Sequence, residues 1–246
     1  MSRVAVVTGG IGGIGTEICK TLAAQGRQVV ATAHVAEADK INSWKEARKA
    51  EGYDIAVYTV DVSDFDSCKA MIAQVTAEVG PVDILVNNAG ITRDTTLRKM
   101  TVDQWSAVIR TNLDSVFNMT KPVVDGMMDR GFGRIINISS INGQKGQLGQ
   151  TNYSAAKAGM HGFTMALAQE TARKGVTVNT VSPGYIGTEM VMAVPEDVRN
   201  KIIAQIPVGR LGKPEEIARL IAFLTADDSG FMTGADFSIN GGQYMH

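Results

Sequence analysis

A glycine-rich turn between an apolar run and a helical pattern constrains this chain more than any other feature. Val4–Val7 is short and wholly apolar and leads into Thr8-Gly9-Gly10-Ile11-Gly12-Gly13-Ile14-Gly15; Ile14, Ile18, Leu22 and Ala23 then recur at helical spacing until Gly26. Strand, turn and helix in that order bring free backbone N–H groups and the positive end of a helix dipole to one point, where an anion is welcome. The segment predicts a pyrophosphate cradle formed by Gly9, Gly12, Gly13, Ile14 and Gly15, with an ordinary turn and close helix packing as the alternative.

The same punctuation recurs along the chain. Strands are expected at Gln28–Ala33, Ile55–Thr59, Ile84–Val86, Arg134–Ile138, Val176–Val181 and Phe237–Ile239. Helices are expected at Asp39–Glu51, Phe65–Val79, Thr101 to about Asp129, Asn152–Arg173 and Pro214–Leu224. Strands that are apolar throughout, alternating with amphipathic helices, predict an α/β fold: a Rossmann-type, doubly wound parallel sheet with helices on both faces. No repeat, low-complexity stretch or Pro/Ser-rich linker divides the 246 residues, so residues 1–246 read as one domain.

Charge narrows the partners. Lys plus Arg (24) nearly cancel Asp plus Glu (25), which leaves no global field to recruit nucleic acid or an anionic membrane. The longest apolar runs, such as Leu220–Leu224, fall far short of the ~20 residues a bilayer span needs, and no secretory signal is read. Cys19 and Cys68 lie in separate expected helices with no metal-like or disulfide spacing, which fits a reduced, cytoplasmic setting. His34, His161 and His246 form no ligand set, so no metal is expected, and His161 reads as a packing or surface residue.

Sheets of this kind that bind NAD carry an acid at the end of the second strand, about 20 residues past the glycines, for the ribose 2′-hydroxyl. Here the stretch reads Ala31-Thr32-Ala33-His34-Val35, without an acid. A 2′-phosphate would meet no repulsion, and His34, Thr32 or Lys40 can donate to it, so NADPH is the expected cofactor; Glu37 or Asp39 folding back to serve NAD is the alternative. Further along, Ser139-Ser140 follow a strand at the sheet edge where such folds bind ligands, and Tyr153 and Lys157 stand four apart on one helical face.

Together these segments resemble the short-chain dehydrogenase/reductase family from Val4 to Gly242. The resemblance rests on Thr8-Gly9-x-x-x-Gly13-Ile14-Gly15, Asp61-Val62, Asn87-Asn88-Ala89-Gly90, Asn112, Asn137-Ile138-Ser139-Ser140, Tyr153-x-x-x-Lys157 and Asn179 to Gly184. It implies a catalytic tetrad of Asn112, Ser140, Tyr153 and Lys157. Tyr153 would be the proton donor, its pKa lowered by the Lys157 ammonium and a cationic nicotinamide; Ser140 would stabilise the carbonyl oxygen; Lys157 would also hold the ribose, and Asn112 a relay water. It also implies that Asp61 and Val62 meet the adenine, although Asp61 alone also reads as a helix cap, a role Ser63 or Asp64 fits better. Asn88, Ala89 and Gly90 would line the adenosine, and Pro183, Gly184, Ile186 and Thr188 would close on the nicotinamide, with a substrate lid beyond.

Within the family the nearest resemblance is to reductases of 3-oxoacyl thioesters. It is carried by Gly90-Ile91-Thr92-Arg93-Asp94, Ile141 to Gln147, Gly149-Gln150-Thr151-Asn152-Tyr153 and Val181 to Tyr185. Asp94, Gln147, Gln150 and Tyr185 are the implied contacts of a short acyl-CoA thioester, unless these loops are structural only. Arg93, Arg98, Lys99 and Lys145 are candidates for its phosphates, or simply a solvated face. A carrier-protein thioester and a noncatalytic NADP(H) sensor stay open as alternatives. The family also implies a homotetramer built on the helices Thr101–Asp129 and Asn152–Arg173 and the last strand.

Overall fold

The computed structural model describes residues 2–245. Seven parallel strands form one sheet: β1 (Val4–Val7), β2 (Gln28–Ala33), β3 (Ala56–Thr59), β4 (Val82–Asn87), β5 (Gly133–Ile138), β6 (Val176–Pro183) and β7 (Asp236–Ile239). They lie in the order β3-β2-β1-β4-β5-β6-β7. The helices are α1 (Gly13–Ala24), α2 (Ala38–Ala50), α3 (Phe65–Glu78), α4 (Val102–Ile109), α5 (Ser115–Asp129), α6 (Ile141–Lys145), α7 (Thr151–Thr171), α8 (Glu189–Met192), α9 (Glu196–Ile203) and α10 (Pro214–Leu224). Successive side chains of a strand point to opposite faces, and both faces here are covered. Ala5 and Val7 therefore join Ile18 and Leu22 of α1 and Ile217 and Ile221 of α10 in one core, while Val4 and Val6 join Met71 and Val75 of α3 and Met119 and Met127 of α5 in the other.

The expected doubly wound sheet is present, with two local differences. The helix expected from Thr101 to Asp129 is interrupted by one wider π turn, Arg110–Asp114, between α4 and α5. Inserting a residue into a helical ladder swings side chains out of the 3.6-residue register, a device found at functional sites, and here it turns Asn112 fully inward. Short helices α6, α8 and α9 occupy segments whose patterns are too brief to predict; α6 is started by the Ser140 hydroxyl, which accepts from Asn142 N at 3.1 Å. Among the described residues no helix is long and apolar enough to cross a membrane, and none of their His, Cys, Asp and Glu side chains gather in threes; His246 lies outside them.

A buried cation ties the edge of the sheet opposite the glycine turn. Arg134 of β5 is 2% exposed and donates to the carbonyls of Ala226 (3.1 Å), Gly133 (2.9 Å), Gly175 (3.2 Å) and Asp227 (3.0 Å). Arg134→Met removes all four hydrogen bonds from a buried site, so urea unfolding should show a stability loss on the order of 3 kcal/mol.

Candidate active site

The strand order reverses between β1 and β4, so the loops leaving their carboxyl ends part in opposite directions and open a crevice. One hydroxyl laces this point. Thr8 Oγ accepts from the amides of Asn88 and Ala89, both at 2.9 Å, while the Asn88 side-chain amide donates to the carbonyls of Thr8 (2.9 Å) and Gly9 (3.2 Å). The glycine turn is thereby held against Asn88-Ala89-Gly90, bringing together two of the expected nucleotide-binding segments.

The turn has the shape a pyrophosphate needs. Gly9 takes the left-handed conformation at φ +60°, and a Cβ on Gly15 would stand 2.3 Å from the Gly9 carbonyl, so neither position accepts a larger residue. The N-terminus of α1 has no side-chain cap and no acid in its first turn, which leaves its amides and dipole unopposed. Thr188 closes over it: a Cβ on Gly13 would come within 3.1 Å of the Thr188 side chain. Pro183 ends β6, Gly184 N donates to Ile239 O at 3.0 Å, and Ile186 bridges to Gly212, so the segment from Pro183 to Thr188 crosses the crevice mouth. These residues fit a dinucleotide.

Where the adenosine is expected, Asp61 is not a helix cap; Asp64 caps α3 by accepting from Ser67 N at 2.7 Å. Asp61 instead accepts from the backbone N–H (2.9 Å) and hydroxyl (2.7 Å) of Ser63. The Ser63 hydroxyl above all, then its amide and the charges of His34 and Arg110, hold the Asp61 carboxyl below its ordinary range. Val62 is buried and its carbonyl accepts from Asn118 at 3.0 Å. Exposed His34 follows β2 and spends Nδ1 on Ala36 N at 3.2 Å, leaving Nε2 as its outward donor. Three residues on, Glu37 pairs with Lys40 at 3.3 Å.

At the other end, the tetrad residues come together from three elements. Ser140 follows β5, Tyr153 and Lys157 lie one turn apart on α7, and Asn112 faces them from the π turn. Asn112 accepts from Ile91 N (2.8 Å) and donates to Ile91 O (2.9 Å), and a Cβ on Gly90 would fall between its Oδ1 (3.3 Å) and Lys157 Nζ (3.6 Å). The Lys157 ammonium lies 5.5 Å from the Tyr153 ring centre and donates to Ile138 O at 2.6 Å.

Lys157 and a cationic nicotinamide together are expected to lower the Tyr153 pKa; within the chain itself the largest effect acts the other way. Burial pushes the phenol up, an effect that the Ser140 hydrogen bond opposes and the Asp94 charge reinforces. The same burial drives Lys157 down to about 7, because an ammonium stripped of water is costly and its one carbonyl partner carries no full charge. The cationic neighbour is therefore half-titrated near neutrality.

The expected substrate contacts divide into two groups. Asn142, Gln150 and Asp94 form a chain: Asn142 donates to Gln150 Oε1 at 2.9 Å, and Gln150 donates to Asp94 at 2.8 Å. With Asn142 N on the Ser140 hydroxyl, this chain runs from Ser140 to the rim. Gln147 accepts from Lys145 at 3.1 Å on the exposed turn beside it. Tyr185 belongs to another wall, lining with Ile206, Val208 and Asn240 a cavity of about 220 Å³. Thr8 stands in the glycine motif, but its hydroxyl's partners, Asn88 and Ala89, lie far along the chain, and Asn142 is not singled out because no local pattern marks its bond to Gln150.

A family model described as short chain dehydrogenase matches residues 3–199, and the chain belongs to that family. Over its full length the chain is similar to acetoacetyl-CoA reductases: 63% identical to that of Allochromatium vinosum over 246 residues, 100% of both chains. It is 62% identical to that of Cupriavidus necator over 243 residues, 99% of this chain and 98% of the relative. It is 45% identical to the 3-oxoacyl-acyl-carrier-protein reductase FabG of Salmonella typhimurium, again over 99% and 98%. The chain is accordingly an oxidoreductase that uses a nicotinamide cofactor.

Two outcomes follow from this geometry. Gly15→Ala places a methyl against the Gly9 carbonyl and should weaken dinucleotide binding on the order of 100-fold by fluorescence titration, with the far-UV spectrum retained. Lys157→Met removes an amine whose folded pKa, about 7, lies below its unfolded value. The burial cost of the charge is felt fully below pH 7 and vanishes as pH rises towards ~10.4. The melting temperature of the variant relative to wild type should therefore be higher at pH 6 than at pH 10.

Proposed function

We propose that this chain reduces acetoacetyl-CoA to (R)-3-hydroxybutyryl-CoA with NADPH, the step that supplies polyhydroxybutyrate synthesis, as a single domain over residues 1–246. The observation that carries the reading is the meeting of Ser140, Tyr153 and Lys157 at the carboxyl edge of β5, joined through Asn142 to Gln150 and Asp94. Full-length similarity to acetoacetyl-CoA reductases supports the thioester.

The bound nicotinamide supplies the hydride; the chain's own residues do the rest. Ser140 and Tyr153 hydroxyls stabilise the carbonyl oxygen where charge develops. A phenol pushed up by burial stays protonated at neutral pH, which suits a donor, and Tyr153 passes its proton to that oxygen. Lys157 favours the resulting phenolate only while it is charged. Asn112, buried and fixed to Ile91, holds the π turn that faces the lysine. Gly9, Gly12, Gly13, Ile14 and Gly15 take the pyrophosphate; Asp61, Val62, Asn88, Ala89 and Gly90 take the adenosine; Pro183, Gly184, Ile186 and Thr188 take the nicotinamide. Asp94, Gln147, Gln150 and Tyr185 take the acyl thioester.

The choice of NADPH rests on His34 and Lys40 beside the end of β2. NADH has its own observation, because Glu37 neutralises Lys40 at 3.3 Å and is itself an acceptor for a 2′-hydroxyl. Glu37→Gln frees Lys40, and the ratio of kcat/KM for NADPH over NADH should rise about tenfold; a wild type that strongly prefers NADH would replace the first reading with the second. A homotetramer is supported by exposed apolar side chains on the long helices, Phe117 (53%) and Met165 (53%) among them, and light scattering would size it. Free, buried Cys19 and Cys68 support a cytoplasmic setting.

Absorbance at 340 nm with acetoacetyl-CoA, set beside the acetoacetyl carrier protein, tests the substrate. Faster turnover of the carrier-protein ester would move the chain to fatty-acid synthesis, and silence on both despite dinucleotide binding would make it a sensor. Tyr153→Phe should abolish turnover while leaving dinucleotide affinity within about twofold. Reduction should slow as pH rises through about 7, because Lys157, with its pKa lowered to that value, loses its charge there.

A further inference from the structure

One turn beyond Lys157 on α7, on the face that carries Tyr153, stands His161, which reads from the sequence as a packing or surface residue and is half-buried. Its Nε2 lies 2.9 Å from Ser139 Oγ, 3.5 Å from Ser182 Oγ and 3.5 Å from Asp236 Oδ2. Every one of these oxygens already acts as an acceptor towards the ring. Ser139 spends its proton on the Lys157 carbonyl at 2.9 Å, Ser182 spends its own on Asp236 Oδ1 at 2.6 Å, and Asp236 is a carboxylate. Nε2 must therefore carry a hydrogen and donate it to Ser139.

Ser, His and Asp in one cluster invite comparison with a nucleophilic triad, and the geometry excludes it. Serine and aspartate meet the same ring nitrogen, so the imidazole cannot take a proton from one while being oriented by the other through its second nitrogen. Ser139 is also 3% exposed. What the cluster does is join elements. Ser139 precedes Ser140 at the end of β5, Lys157 and His161 belong to α7, Ser182 lies near the end of β6, and Asp236 opens β7, where Gln144 of α6 also donates to it at 2.8 Å. The packing leaves no slack: a Cβ on Gly143 would stand 2.8 Å from Lys157 Cβ and 3.0 Å from Ser139 Oγ.

We propose that His161 is a positioning residue: by donating to Ser139 it fixes the Ser139 hydroxyl on the Lys157 carbonyl and so clamps the strand end carrying Ser140 to the helix carrying Tyr153 and Lys157. The proposal rests on the reductase reading for its kinetic arm alone. Tyr153 and Ser140, which act on the same oxygen, sit on different elements, and a small slip between them costs rate rather than binding.

His161→Phe keeps the ring and loses the donor, whereas His161→Gln restores an N–H at the reach of Nε2. With acetoacetyl-CoA and the preferred dinucleotide, His161→Phe should lower kcat about tenfold with both KM values within about twofold, and His161→Gln should recover most of the loss. Amide hydrogen exchange over residues 139–143 should quicken in the Phe variant and return in the Gln variant. Ser139→Ala should reproduce the kinetic loss, and the double variant with His161→Phe should be no slower than Ser139→Ala alone, since both cut one chain; Ser139→Ala also keeps the test available if His161→Phe fails to fold. Wild-type kcat and exchange in His161→Phe, equal damage in Phe and Gln variants, or additive losses in the double variant would each overturn the clamp. A wild type silent on acetoacetyl-CoA would sink the reductase reading, and the exchange experiment, which needs no substrate, would still decide the clamp.

Discussion

The hydroxyl of Thr8, shared by the amides of Asn88 and Ala89 at 2.9 Å each, is the contact on which the rest of the site depends. It sits where the strand order reverses, between β1 and β4. Parallel strands end with unpaired amides and carbonyls at their carboxyl edge, and a buried edge must satisfy them locally. Here that is done by one hydroxyl and one side-chain amide, which leaves the amides at the start of α1 free for a ligand. The expected anion cradle and the end of the sheet are thus one construction.

On the other side of the crevice the governing constraint is desolvation. Lys157 is 3% exposed, with the Ile138 carbonyl as its hydrogen-bond partner. An ammonium in such surroundings is stabilised poorly, and its pKa falls to about 7. The fold tolerates this because α7 is anchored by its neighbours: Asn137, Thr164 and Thr180 form a buried hydrogen-bonded run between β5, α7 and β6, and Ser139 grips the Lys157 carbonyl. Rigidity around a destabilised charge is the arrangement by which an active site keeps a reactive group in place.

Much of this is legible from the residues. Gly9 to Gly15 between an apolar run and a helical pattern announces an anion cradle, since only glycine permits the left-handed turn and the 2.3 Å approach a Cβ on Gly15 would make to the Gly9 carbonyl. Tyr153 and Lys157 announce a shared face through their spacing alone. Less legible are contacts whose partners lie far along the chain. Asn112 matches a motif, but its inward turn depends on a π insertion that helical periodicity does not mark. The upward push on the Tyr153 pKa is not legible either, because burial, which dominates it, is a property of the packed chain.

What the sequence determined by itself is whatever depends on local spacing: the alternation of strands and helices, the glycine turn, the tyrosine–lysine face and the absence of an acid at the end of β2. What only the tertiary structure decided is whatever depends on solvent exclusion and on residues brought together from afar. Lys157 loses its water, the Thr8 hydroxyl meets Asn88 and Ala89, and His161 meets Ser139, Ser182 and Asp236 across residues 139–236. The physical reason is that backbone propensity and side-chain period act over a few residues, whereas desolvation and hydrogen-bond satisfaction are settled once the sheet has closed around them.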